Sequence, residues 1–179
     1  HAFDLTTIPV THPGVEQKSQ WLSIRQNRPD YVLVWGWGVM NGVAIKEAAG
    51  VAYPRDKMIG VWWSGAEPDV RPAEGGAKGY HAAMLQHGAG QFGVHADLKK
   101  YLYDKGKGAT TWDKTGEVLY NRTLVNAMIT VEAVRNAIKK HGKKVTGEHV
   151  REGMESLNLS QARLDELGFG KMMRPIRNT

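Results

Sequence analysis

Residues 30–80 read DYVLVWGWGVMNGVAIKEAAGVAYPRDKMIGVWWSGAEPDVRPAEGGAKGY, and this stretch decides the fold. Residues 31–35 and 58–63 are two short, very apolar runs, each leading into a loop punctuated by glycine. Between them, residues 40–49 place Val43, Ala44, Ala48 and Ala49 on one helical face, with Gly50 as the expected cap. Two apolar strands separated by a helix of this length predict a parallel βαβ unit whose strands are buried on both faces. In open parallel sheets, ligands gather in the crevice beyond the carboxyl ends of the strands. Here Trp35, Gly36, Trp37 and Gly38 fall at one such end, and Trp62, Trp63, Ser64 and Gly65 at the other. Four of the six tryptophans thus sit at two strand ends, which predicts a binding crevice.

Outward from this core, residues 3–10 alternate as a strand (Phe3, Leu5, Ile8, Val10) interrupted by Pro9. Residues 15–27 read as a helix with Trp21, Leu22 and Ile24 inward, stopped by Pro29. Downstream, residues 64–78 are rich in Gly, Pro and charge, which predicts a long loop, and residues 79–86 read as a short strand. A helix is expected over 92–105, a polar loop over 106–116, and a long amphipathic helix over 117–141 that ends at Gly142. Residues 146–157 form a further short helix with Val150, Met154 and Leu157 inward, and residues 171–177 a strand. Residues 92–157 therefore supply three helices and at most one strand. Amphipathic helices need a second layer against their apolar faces. Either the two halves cover each other, or the covering part lies outside this sequence.

Composition narrows the function classes. At 179 residues, with 41% hydrophobic and 23% charged residues, the chain can hold one domain or parts of two. No apolar run approaches the roughly 20 residues that span a bilayer. The opening HAFDLTTIPV is no secretory segment, and His1 and Ala2 read as a tag remnant or a cut point. Zero cysteines exclude disulfides, cysteine nucleophiles and Cys–zinc sites. The net charge of +6 is spread along the chain, and its densest cluster, residues 139–144, closes a helix where cations complement the dipole. Nucleic acid is therefore not an expected partner. His81, His87 and His95 match no metal-ligand spacing, Ser64 lacks the nucleophile-elbow pattern, and GWG is too short for a dinucleotide loop. No catalytic residue, metal or cofactor is expected, and the chain is not read as an enzyme.

With these segments in place, the chain resembles the C-terminal half of a type I periplasmic solute-binding protein, of the branched-chain amino acid class that serves ABC importers. The resemblance is carried by PDYVLVWGWG entering the helix that ends IKEAAG, then KMIGVWWSG, then AKGYHAAM, and finally AVRNAIKKHGKKVTGEHVREGMESL. It implies an α/β fold of Rossmann-like three-layer lobes joined by crossing strands, present here without the N-terminal part. Residues 1–78 would be the remainder of the second lobe. Residues 79–165 would hold a crossing strand and helices that pack on the first lobe, and residues 166–179 would return as a strand and tail. The implied partners are a small-molecule ligand, an ABC permease in the inner membrane and the missing N-terminal lobe; the implied location is the periplasm.

The resemblance also implies ligand-facing positions at Trp37 and Gly38, and at Trp62, Trp63 and Ser64. Trp35 and Trp62 have packing beneath the strand ends as their simpler reading, whereas Trp37 and Trp63 alternate to the other face. Amino acid binders of this class carry an acid near the second loop. Here none occurs before Glu67, and Glu67 and Asp69 beside Arg71 read as a loop brace. Indole faces with a neighbouring hydroxyl favour an aromatic or apolar carboxylate or amide over a branched-chain amino acid. The expected function is capture of such a solute for delivery to a permease. A ligand-sensing regulator of the same fold and an α/β enzyme are the alternatives.

Overall fold

The structure, a computed structural model, describes residues 3–177. The chain divides into two compact units, His1–Met84 and Leu85–Thr179. The first is the predicted βαβ unit, extended by one strand. Helix α1 (Lys18–Asn27) leads to β1 (Val32–Val34), α2 (Val39–Gly50), β2 (Met58–Gly60), a short α3 (Glu67–Val70) that runs into a 3-10 segment (Arg71–Ala77), and β3 (His81–Ala82). The sheet is parallel in the order β1-β2-β3, with Val32 beside Met58, Leu33 beside Ile59, and Ile59 beside His81.

The pleat gives the sheet two unlike faces. Val34 and Met58 are buried with Trp21 and Ile24 of α1, Ala44, Ile45 and Ala48 of α2, Tyr53 and Ala73. On the opposite face Tyr31, Leu33 and Trp35 are 63%, 64% and 75% exposed, and Ile59 beside Leu33 is 38% exposed. The expectation of strands buried on both faces is thus corrected: one layer of helices covers one face, and the other is apolar and open.

In the second unit, α4 (Gly93–Tyr101) precedes α5 (Val118–His141), α6 (Gly147–Glu155), β4 (Asn158–Leu159), α7 (Gln161–Glu166) and β5 (Ile176–Arg177). Strands β4 and β5 pair antiparallel, Leu159 beside Ile176. The core gathers Met128, Leu157, Leu159, Leu164, Phe169 and Met172.

Other expectations need correction. Residues 3–10 form no strand; Phe3 and Leu5 are exposed and no neighbouring strand pairs with them. Helix α1 begins at Lys18 rather than residue 15, and Leu22 lies on its solvent side. Residues 64–78 are largely helical rather than a plain loop, because Pro68 and Pro72 stand in the first turns of α3 and the 3-10 segment, where no N–H is needed. Gly50 is the last residue of α2, and Val51 takes the cap position. Only Ile176–Arg177 of the expected 171–177 strand pairs, and α7 was not anticipated.

Candidate functional site

Both loops expected to face a ligand leave the carboxyl ends of parallel strands. After β1, Gly36 is buried, while Trp37 is 60% exposed and its ring lies 6.4 Å from that of His12. Gly38, at φ +56, turns the chain into α2. After β2, the Val61 N–H donates to the Val34 carbonyl (3.1 Å), and the Ser64 N–H donates back to the Val61 carbonyl (2.8 Å). That closes a four-residue turn with Trp62 and Trp63 at its two central positions. Their rings stack, with centroids 4.7 Å apart and planes 14° from parallel. Each is a little over one-third exposed, so the pair forms a flat apolar platform with one side open to solvent.

Ser64, the next residue in the chain, is fully buried. Its hydroxyl donates to the Gly36 carbonyl (2.6 Å) and accepts from the Gly36 N–H (3.3 Å), and its carbonyl accepts from the Tyr80 hydroxyl (2.7 Å). The hydroxyl expected to meet a ligand is therefore engaged inside the fold, where it ties the β2 loop to the β1 loop. Burial, and to a lesser extent Asp69, push the Tyr80 phenol well above its ordinary value, so it stays protonated and remains a donor. Gly60 leaves room for that phenol, because a Cβ there would collide with the Tyr80 oxygen.

Asn41, in the first turn of α2, supplies the next tie and was not anticipated. Fully buried, it donates from Nδ2 to the Trp63 carbonyl (3.0 Å). Its Oδ1 stands close over Gly36, 2.7 Å from where a Cβ would be, and has no hydrogen-bond donor. Gln17 performs a similar service on the other side: its Nε2 donates to the carbonyls of Gly14 and Met40, fixing the loop that carries His12 against α2. One signal for Asn41 exists in the sequence, an amide in the otherwise apolar first two turns of the helix, where asparagine is a poor helix former.

Trp37, Gly38, Trp62 and Trp63 thus follow the carboxyl ends of two neighbouring strands of one parallel sheet, and the buried Ser64 ties the two loops together. Trp35, expected to pack under the strand end, instead lies on the open face of the sheet. Asp69 braces its own loop by accepting from the Ala66 N–H (3.2 Å), and the segment from Val61 to Ala66 carries no carboxylate. Among the described residues, no group of three His, Asp or Glu is placed to hold a metal ion, and no helix is long and apolar enough to cross a membrane.

The profile of the periplasmic binding proteins matches residues 3–175. A crystal structure described as an ABC transporter permease from the Pseudomonas fluorescens group is 42% identical, with a TM-score of 0.88 over 95% of this chain and 41% of that one. A second, described as a branched chain amino acid ABC transporter from Thermus thermophilus with bound valine, is 19% identical. It has a TM-score of 0.62 over 79% of this chain and 36% of that one, and this likeness concerns the fold alone. The chain therefore spans well under half the length of these two solved relatives. None of the curated proteins matches it.

Proposed function

The chain belongs to the periplasmic binding protein family, and from that membership we propose that it works as part of the solute-capturing component of an ABC importer. The component would bind a small organic molecule outside the cytoplasm and hand it to a membrane permease, with no covalent chemistry. The ligand would be an aromatic or otherwise apolar carboxylate or amide. One observation carries this choice: a stacked, half-open indole pair at the strand end, in a turn without a carboxylate to meet an ammonium group. A planar unsaturated group laid on such a platform gains both apolar burial and offset stacking, about 0.5–1.5 kcal/mol beyond the area term.

The arrangement of the complete protein is proposed from the same premise. Residues 1–78 would complete one lobe together with chain beyond this sequence, which would cover the open apolar face of the sheet. The helices within residues 79–165 would pack on the other lobe, and residues 166–179 would return from it.

The test is a thermal-shift and calorimetric screen of the complete natural protein against phenylacetate, benzoate and benzamide, with L-valine and L-leucine beside them. A true ligand at about a hundred times its Kd stabilises by about 2.7 kcal/mol. The expected outcome is a clear upward shift with the aromatic compounds and none with the amino acids. A shift with the amino acids alone would remove the aromatic reading, and no shift in a broad solute panel would remove the capture reading.

A further inference from the structure

We propose that Asn41 is a positioning residue for the ligand platform: its carboxamide holds the Trp63 carbonyl and so sets the Trp62–Trp63 stack. The inference rests on the solute-capture reading above and goes a step further, because it assigns the shape of the pocket wall to a residue that touches no ligand. Three observations converge. The Trp63 carbonyl belongs to the peptide that joins Trp63 to Ser64, and Ser64 is anchored through both its hydroxyl and its carbonyl. Holding that peptide fixes the backbone torsions from which the Trp63 ring hangs. Without the Asn41 donor, that peptide would be held from one side only, through the Ser64 N–H bond to the Val61 carbonyl.

The second observation concerns cost. Asn41 Oδ1 is buried with no donor, an arrangement that penalises the folded state. Leucine has nearly the same shape and would bring no such penalty. The hydrogen bond that the amide does make, from Nδ2 to the Trp63 carbonyl, goes to the platform's backbone. The third is the stack itself: the rings lie 4.7 Å apart and 14° from parallel on neighbouring residues of one turn, so a change in the Trp63 backbone moves one ring against the other. A recognition surface held by supporting hydrogen bonds loses less freedom on binding than one that must be ordered by its ligand.

The experiment uses the complete natural chain. Two stacked indoles give an exciton couplet in far-UV circular dichroism, and Trp62→Phe, at a partly exposed position, should abolish it and so assign it. Asn41→Leu is expected to lose most of the couplet while the Tm moves by less than about 3 °C. Asn41→Ala should show the same spectral loss with a lower Tm. Phenylacetate is then titrated into the wild type and Asn41→Leu, with affinity expected to fall about tenfold in the variant.

A wild type without an assignable couplet overturns the proposal, as does a full couplet in either folded Asn41 variant. If Asn41→Leu does not fold, the residue holds the fold rather than the ring pair, and the proposal fails too. Equal phenylacetate binding by the wild type and a variant that has lost its couplet also overturns it. The two readings fail separately: if phenylacetate does not bind the wild type but the couplet depends on Asn41, the ligand class falls and the positioning role stands.

Discussion

At the scale of single residues, the second unit contains a titratable group as constrained as any at the site. His95 is 1% exposed, and its Nε2 lies 3.0 Å from Asn121 Oδ1. Asn121 uses its Nδ2 to donate to the carbonyls of His87, Ala89 and Gly116, so the oxygen is the atom left to face the ring. Nε2 must therefore carry the proton, and Nδ1 is buried without one. Burial lowers the His95 pKa from its ordinary value, with the Asn121 bond opposing in part. The unfolded chain then binds the extra proton more readily than the folded one. Stability is complete above the ordinary histidine value near 6.5 and declines as pH falls below it toward the depressed folded value. The Tm is expected to drop between pH 7 and pH 5, and His95→Gln, which keeps a donor for Asn121, should flatten that slope. A slope of equal steepness in the variant would assign the effect elsewhere. None of this was legible in the sequence, where His95 entered only as a member of a histidine trio without metal spacing. The four tryptophans at the strand ends could be read because strand ends are local. Ser64, Asn41 and Tyr80 could not be given their roles, since each acts through a carbonyl some 16 to 28 positions away in the chain.

At the scale of elements, helices α5 and α6 meet at a point that tolerates nothing larger than hydrogen. A Cβ on the buried Gly153 would collide with the Ala133 carbonyl. Gly153→Ala is expected to push the helices apart at a cost of about 2 kcal/mol, read from chemical denaturation. The start of α6 is fixed by a reciprocal pair in which Thr146 Oγ1 accepts from the His149 N–H and His149 Nδ1 accepts from the Thr146 N–H, both at 3.3 Å. Thr146→Ala should cost about 1 kcal/mol. Nearby, the Lys140 ammonium, and then His141, hold the Glu152 carboxyl down at about 2. Its contribution is present above the ordinary carboxylate range and fades as pH falls through that range toward 2. Periodicity made α5 legible almost to the residue, since it is long enough to repeat an apolar face, whereas α6 spans Gly147–Glu155 rather than 146–157 and Met154, expected inward, is exposed. The strands were overestimated: an apolar run of five or six residues marks where a strand can lie, but pairing decides how many residues belong to it. Residues 3–10 show the same limit, as their alternation has no adjacent strand to meet.

At the scale of the molecule, each unit has a core of its own, and the first also has an apolar sheet face open to water. Parallel sheets are ordinarily covered on both faces, and Tyr31, Leu33, Trp35 and Ile59 stand uncovered here. The expectation of strands buried on both faces came from their apolar runs, and an apolar run records side-chain chemistry without supplying the layer that would cover it. A substitution on this face should therefore change sign with context. In the chain of 179 residues by itself, Leu33→Lys is expected to leave the Tm nearly unchanged and to reduce self-association seen by sedimentation. Where further chain covers this face, as proposed above, the same change should destabilise by several kcal/mol, because it would bury an unpaired charge. A similar Tm in both backgrounds would mean that nothing covers the face. The same feature makes stability a matter of mass action. Whatever docks on the open sheet, whether more of the same polypeptide or a second copy, binds the folded form and not the unfolded one. The melting temperature of the isolated chain is then no fixed constant of its sequence; it climbs with the concentration of its cover, and joining the two in one polypeptide replaces that concentration by a local one that dilution cannot lower.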